Sequence, residues 1–75
     1  MNVIGFKICM KNDGYTSSLE LHKIYPLVPA HSNDPDGYIR IIDESGEDYL
    51  FPQDWFESVS LGKALEDKLA ASVLS

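Results

Sequence analysis

Cysteine, basic residues and long apolar runs are all scarce in this sequence. Its 75 residues include one cysteine, Cys9, which excludes an internal disulfide framework and a zinc cluster built on cysteines. No apolar run approaches the roughly 18 to 20 residues that span a bilayer, which excludes a transmembrane helix. Residues 1–7 lack the long apolar stretch and small-residue cleavage site of an export signal, so we expect a cytoplasmic location.

The balance of charge is acidic and uneven. Six basic residues stand against twelve acidic ones, for a net charge of −6. Residues 34–57 hold eight of the acids and one basic residue, Arg40. Nucleic-acid binding needs clustered Lys and Arg, so neither a nucleic acid nor a membrane is expected as a partner. A cationic partner fits this field, and the alternative is that acidic turns keep a small protein soluble.

The content of 44% hydrophobic residues predicts a folded chain, and its length allows one small domain. Five segments have the alternation or the β-branched and aromatic content of strands: residues 3–11, 24–28, 38–42, 49–51 and 57–59. In the first, alternation puts Ile4 and Met10 on one face with Phe6 and Ile8, and Cys9 on the other. Residues 15–23 are mixed and polar, with Leu19 and Leu21 expected to point inward. Pro26 lacks an N–H, so it should lie at an edge or bulge. Five short strands with acidic turns predict a small barrel.

The last residues have a different pattern. Leu61, Leu65, Leu69 and Val73 recur every four residues, which predicts an amphipathic helix over residues 61–74 with Ser60 as its N-cap. The chain therefore divides into a barrel over 1–60 and a helix or tail over 61–75. A lone helix of this length is marginal in water, so it docks on the barrel, pairs with another chain, or frays.

Residues 50–56, Leu-Phe-Pro-Gln-Asp-Trp-Phe, resemble the closing segment of SH3 domains. Tyr38 falls where those domains carry a tryptophan, and residues 18–25 are similar to the segment that leads into their second strand. The resemblance covers about residues 18–59 and implies a mainly β fold, a small five-stranded SH3-like barrel. Residues 46–52, Gly-Glu-Asp-Tyr-Leu-Phe-Pro, also resemble a set of small bacterial proteins, a likeness that implies the same barrel and brings no activity.

The SH3 resemblance also implies a contact face. It assigns Tyr38, Pro52 and Trp55 to a groove for proline-rich peptides, with Leu50 beside them. A rigid aromatic wall suits a preformed polyproline II helix. Trp55 is expected on the outer side of a single helical turn over residues 52–56, where it can take a cationic or methylated side chain by cation–π contact. The alternative is that the aromatic residues serve packing alone, with Phe51 and Phe56 inside.

The remaining polar residues predict no catalytic, metal or cofactor site. The acidic run over residues 43–48 lacks the alternation of a calcium loop and is expected to be a solvated turn. His22 and His31 share no metal-ligand spacing, and Cys9 has no neighbour that would make it a nucleophile. Arg40 is expected to pair with Glu47 or Asp48 across a hairpin.

These observations predict a non-catalytic protein-interaction domain that binds a proline-rich or basic peptide segment of another protein. One alternative is an assembly protein that acts through the helical residues Leu61, Leu65, Leu69 and Val73, as a weak homodimer or docked on a larger partner. Another is an acidic mimic of nucleic acid that blocks a basic protein. In the first and third cases the chain itself is expected to be a monomer.

Overall fold

A computed structural model describes the backbone of residues 2–74 and the side chains of residues 2–72. The elements in chain order are β1 (Gly5–Cys9), β2 (Ile24–Val28), β3 (Tyr38–Ile42), β4 (Asp48–Pro52), a 3₁₀ turn (Gln53–Trp55), β5 (Phe56–Ser58) and α1 (Lys63–Leu74). The bounds of β2 and β3 coincide with the sequence predictions, and the expected single turn follows β4. These segments are the ones richest in β-branched and aromatic residues.

The five strands form one antiparallel sheet in the order β4-β3-β2-β1-β5. A mainly β fold with a C-terminal helix is thereby confirmed. Within residues 2–74 no ladder joins β4 to β5, so the hydrogen-bonded sheet is open. Closure into a barrel, and the division at residue 60, stay predictions.

Pro26 lies in β2, an inner strand of the sheet, and not on the edge strand that the sequence predicted. It stands opposite Phe6 in the ladder with β1. The ladder between β2 and β3 pairs Leu27 and Val28 and stops short of Pro26, so this ladder requires no N–H from the proline.

The core lies on one face of the sheet. Its strand residues are Cys9, Tyr25, Ile41, Phe51 and Phe56, and Leu19 from the 12–20 loop completes it. Phe51, Phe56 and Leu19 were expected inside, and they are buried. The same expectation was wrong for Leu21, which is 45% exposed, since the turn over residues 21–22 carries it to the surface.

The core takes the face of β1 that carries Cys9, which is fully buried, whereas Ile4 is 57% and Met10 48% exposed. Alternation could not decide this because the second face is also apolar. There Phe6 pairs with Pro26, and both are buried. Ser72 of α1 lines one pocket with Pro26, which places the end of the helix beside this second face.

The C-terminal helix begins later than its leucine spacing predicted. The N–H of Glu66 donates to the carbonyl of Gly62 at 3.0 Å, so the first helical turn starts at Gly62. Ser60 is therefore not the cap and Leu61 precedes α1, because a glycine at the N-cap can initiate the turn. Within the described residues, no helix is long and apolar enough to cross a membrane.

Candidate functional site

The β3–β4 hairpin brings two of the predicted contact residues side by side. Tyr38 stands opposite Pro52 in the antiparallel register, and Leu50 stands opposite Arg40 two residues further in. Paired residues share a face of the sheet, and so do residues two apart on one strand. Tyr38, Leu50 and Pro52 therefore lie on one face, where Tyr38 is 45% exposed and the other two are half-buried.

Trp55 ends the 3₁₀ turn that follows β4, three residues beyond Pro52. Pro52 caps the turn in an extended conformation, with φ −57° and ψ 131°, and the N–H of Phe56 closes the turn on the carbonyl of Gln53. The turn thus follows directly from the end of the hairpin at which Tyr38 pairs with Pro52. The carbonyl of Trp55 accepts the N–H of Met10 at 2.8 Å, so the turn is fixed to β1.

Trp55 is half-buried and contributes to the edge of the core. Its ring lies 5.6 Å from that of Tyr15 at an interplanar angle of 63°, and 6.5 Å from Phe51. Tyr15 in turn meets Phe51 edge-on, with ring centroids 5.6 Å apart. The prediction that Trp55 lies on the outer side of the turn is thus only partly right, because one face of its ring packs on neighbours.

Tyr15 is the residue that sequence reasoning missed at this site. It lies in the 12–20 loop, and its position is fixed by the N–H of Leu19, which donates to the Tyr15 carbonyl at 2.9 Å. Asn12 Nδ2 closes the loop on the carbonyl of Leu19 at 2.8 Å. Leu19 is buried and anchors the loop. The sequence signal that could have identified Tyr15 is its position four residues before this buried leucine. We call the set of residues Tyr15, Tyr38, Pro52 and Trp55 the aromatic strip.

Two carboxylates flank the aromatic strip and have no partner among the described residues. The N–H of Gln53 donates to the carbonyl of Gly37 at 2.9 Å and holds the end of the 29–37 loop against the 3₁₀ turn. Asp36 precedes that glycine and Asp54 follows Gln53, and both are exposed without an ion pair. Unneutralised carboxylates beside aromatic rings favour a cationic ligand.

Arg40 stands on the same face as Tyr38 and Leu50, but its charge is neutralised within the fold. Arg40 Nε donates to Oδ2 of Asp34 at 2.7 Å, and Arg40 Nη2 donates to Oδ1 of the same carboxylate at 2.8 Å. Asp48 accepts from Arg40 at 3.0 Å, as the sequence predicted, whereas Glu47 instead accepts from the hydroxyl of Tyr49. The guanidinium lowers the pKa of Asp34 to about 2.

A second polar cluster joins three separate segments. The buried hydroxyl of Tyr25 donates to Glu44 at 2.5 Å and accepts the backbone N–H of Glu20 at 2.7 Å. Lys23 reaches the same Glu44 oxygen at 2.7 Å. The hydrogen bonds from Lys23 and, to a smaller extent, from Tyr25 lower the pKa of Glu44. Burial is the main cause that raises the pKa of Tyr25, and the hydrogen bond to Glu44 raises it further. The cluster ties β2 to the 12–20 loop and to the turn after β3.

The predicted interaction residues of the tail are separated by the later start of α1. Leu65 is 48% exposed on the helix, and Leu69 is half-buried. Leu61 is half-buried ahead of the helix, and the side chain of Val73 lies outside the described residues. Leu65 is therefore the one member of the four that the described structure places in the open on α1.

Comparison with protein-family models, with curated proteins and with solved structures finds no match to this chain. The likeness to SH3 domains and to the small bacterial proteins stays a prediction from the sequence. The geometry of the aromatic strip is accordingly the basis for a functional proposal.

Proposed function

We propose that this chain is a non-catalytic protein-interaction domain that binds an extended peptide segment across the aromatic strip. The observation that carries the proposal is the pairing of half-exposed Tyr38 with Pro52, three residues before Trp55 at the end of the 3₁₀ turn. Rigid rings and a proline provide contact area at a small cost in conformational entropy. An extended or polyproline II segment is the ligand shape that such a surface suits.

The charge beside the strip favours a peptide that carries Lys or Arg. Asp36 and Asp54 are exposed without an ion pair in the described residues, and they come from the two segments that the Gln53–Gly37 hydrogen bond joins. A basic residue next to an apolar or proline residue would use both features. The class of ligand is therefore a basic segment with apolar or proline positions.

The fold supports the same proposal. The strand order β4-β3-β2-β1-β5, with a 3₁₀ turn ahead of the last strand, suits a small SH3-like barrel in which β4 and β5 approach each other without a ladder. In such a barrel the aromatic strip occupies the place of the SH3 groove. The proposal rests on the named side chains, because one fold serves many functions.

A peptide titration followed by proton–nitrogen NMR tests this function. Three peptides of equal length are compared: one proline-rich with two arginines, one proline-rich without charge, and one of Gly and Ser with two arginines. Trp55 is the single tryptophan, so its indole N–H gives one resolved signal. We expect the first peptide to shift that signal and the amides of Tyr38 and Gln53 most strongly.

Two variants locate the binding surface. Tyr38→Ala should weaken the peptide about tenfold, the effect typical of a central aromatic contact. Leu65→Ala removes a side chain of similar exposure, 48% against 45%, from α1 and should leave the affinity unchanged. The absence of any shift in the strip with all three peptides would refute the proposal, and weakening by Leu65→Ala alone would transfer the site to the helix.

The exposure of Leu65 favours assembly through α1 as a second candidate function. In that case the helix pairs with a second copy, and Leu65→Asp should convert a dimer to a monomer in sedimentation equilibrium. Leu21→Asp, at a position 45% exposed outside the helix, is the matched control. A wild-type protein that is monomeric at all concentrations tested would exclude the homodimer.

A further inference from the structure

A pocket of about 410 Å³ opens along the free edge of β4, between the 12–20 loop and the turn after β3. Its lining is Tyr15, Ser18, Asp43, Ser45, Tyr49, Leu50 and Phe51. We call it the hairpin pocket. Its mouth is fixed by a hydrogen bond between segments, since the N–H of Glu44 donates to the carbonyl of Ser18 at 3.0 Å.

The floor of the hairpin pocket holds a buried carboxylate. Asp43 is 7% exposed, so the expectation of a solvated turn was wrong for this residue. The turn folds back on itself, since the Asp43 N–H donates to the carbonyl of Glu47 at 3.1 Å. Its Oδ1 accepts both the N–H and the hydroxyl of Ser45, at 2.9 and 2.5 Å. Both bonds end on Oδ1, and since no buried side-chain oxygen of the described residues lacks a partner, Oδ2 is the oxygen that solvent or a ligand can reach.

The walls of the hairpin pocket are aromatic. Tyr15 and Tyr49 are each 49% exposed, and the hydroxyl of Tyr49 donates to Glu47 at 3.1 Å. None of the seven lining residues is Lys, Arg or His. Ring faces attract cations, and the carboxylate adds a formal charge at the floor.

A second pocket shows the contrast. It is lined in part by Lys23, Tyr25, Asp43 and Glu44, and it already contains a cation, since Lys23 lies 2.7 Å from Glu44. In the second pocket Lys23 thus neutralises the carboxylate of Glu44. The hairpin pocket shares Asp43 with it but has no equivalent of Lys23 among its lining residues, so a cationic ligand would meet no like charge there.

We infer that the hairpin pocket binds a guanidinium or ammonium group carried on an aliphatic stem, the chemistry of an arginine or lysine side chain. The head group would bond Oδ2 of Asp43 between the rings of Tyr15 and Tyr49. The stem would lie along Leu50 and Phe51, as the apolar parts of Arg and Lys do on other surfaces. The volume suffices for one such side chain. This site does not depend on the proposed function, with which it shares only Tyr15 of the aromatic strip.

Small probes test the site on the full chain by proton–nitrogen NMR. The probes are Nα-acetyl-arginine amide, Nα-acetyl-lysine amide and the neutral Nα-acetyl-citrulline amide. A cation site predicts shifts at the amides of Ser18, Ser45 and Tyr49 with the first two probes and none with the third. Equal shifts with citrulline, or shifts scattered over the acidic surface, would overturn the inference.

Charge-matched variants identify the carboxylate. Asp43→Asn retains an oxygen for the two Ser45 bonds and removes the charge, so the affinity for the arginine probe should fall about tenfold or more. Glu57→Gln makes the same change in net charge at an exposed residue outside the pocket and should have no effect. Equal losses in both variants would show a general field rather than a site.

Variants of the wall keep the inference testable if Asp43→Asn fails to fold. Tyr49→Phe keeps the ring and should bind as the wild type does, whereas Tyr49→Leu keeps apolar area without a ring and should bind several-fold more weakly. Equal binding by the two variants would overturn the role of the ring. Tyr38→Ala should leave the probe affinity unchanged, which separates this site from peptide binding on the strip.

One further comparison distinguishes an arginine side chain of a protein partner from a small cationic molecule as the ligand of the pocket. A Gly-Ser peptide with one central arginine is titrated beside the free arginine derivative. Tighter binding of the peptide would assign the pocket to a side chain of a protein partner, and equal binding would assign it to a small cationic molecule. Both results support the cation site, and failure of both ligands to bind refutes it.

Discussion

Arg40 holds both carboxylate oxygens of Asp34, at 2.7 and 2.8 Å, and so fastens the 29–37 loop to the centre of β3. Asp34 also accepts the N–H of His31 at 2.8 Å, which closes the loop on itself. A planar guanidinium matches a carboxylate in this two-bond arrangement better than an ammonium does. The loop that carries Asp36 is therefore positioned by an ion pair whose arginine lies two residues from Tyr38 of the aromatic strip.

Acid should destabilise the fold through Asp34. The pKa of this carboxyl is about 2 in the folded protein, below its ordinary value of 3.8, because Arg40 favours the charged form. The stabilisation is complete above pH 3.8 and is lost as the pH falls through about 2. Thermal unfolding measured between these pH values should show a smaller pH dependence for Asp34→Asn than for the wild type. Asp36→Asn, in the same loop without an ion pair, should retain the wild-type slope.

Removing the hydroxyl of Tyr25 should destabilise the protein measurably. Tyr25→Phe keeps the buried ring and leaves the N–H of Glu20 without its acceptor. We expect a loss of about 1–2 kcal/mol in the free energy of unfolding, the cost of an unsatisfied buried donor. Urea denaturation measures it, with Tyr38→Phe as the control at an exposed tyrosine, where the change should stay within about 0.5 kcal/mol. Equal values for the two variants would contradict a structural role for the Tyr25 hydroxyl.

The strands could be predicted from sequence because their signals are local. β2 and β3 are short runs rich in β-branched and aromatic residues and bounded by Gly, Pro and charged residues, so their bounds were recovered. The alternation in β1 is as regular, yet it did not show which face meets the core. Phe6 is buried on one face and Cys9 on the other, and a sheet that is covered on both sides removes the contrast on which alternation depends.

The candidate sites depend on contacts between distant segments, which local patterns do not contain. Pro52 and Trp55 were predicted as contact residues through the resemblance of one short segment, and they stay a prediction. Tyr15 entered the strip only through its contacts with Phe51 and Trp55. Asp43 is one of six residues in an acidic, polar run, and nothing in the run distinguishes the buried carboxylate from the exposed ones.

Cys9 should be unreactive in the folded protein. Its side chain is fully buried and its thiol donates to the carbonyl of Lys11 at 3.3 Å. Burial is the main cause that raises the pKa of Cys9, and only the thiolate reacts rapidly with disulfide reagents. Labelling should proceed at the rate of unfolding and accelerate with urea. Labelling of the native protein at the rate of an exposed cysteine in a peptide would contradict this burial.

Adding a side chain at Gly46 should destabilise the turn that shapes the hairpin pocket. Its φ is +83°, a left-handed conformation, and its N–H donates to the carbonyl of Asp43 at 3.0 Å. No atom lies within 4 Å of a Cβ built there, so the backbone conformation alone opposes a larger residue. Gly46→Ala should lower the free energy of unfolding by about 1 kcal/mol. Gly5→Ala is the control, since its φ is not positive and its added Cβ would lie 3.8 Å from Leu27, an ordinary contact. Similar losses for both variants in urea denaturation would contradict a cost that is specific to the left-handed conformation.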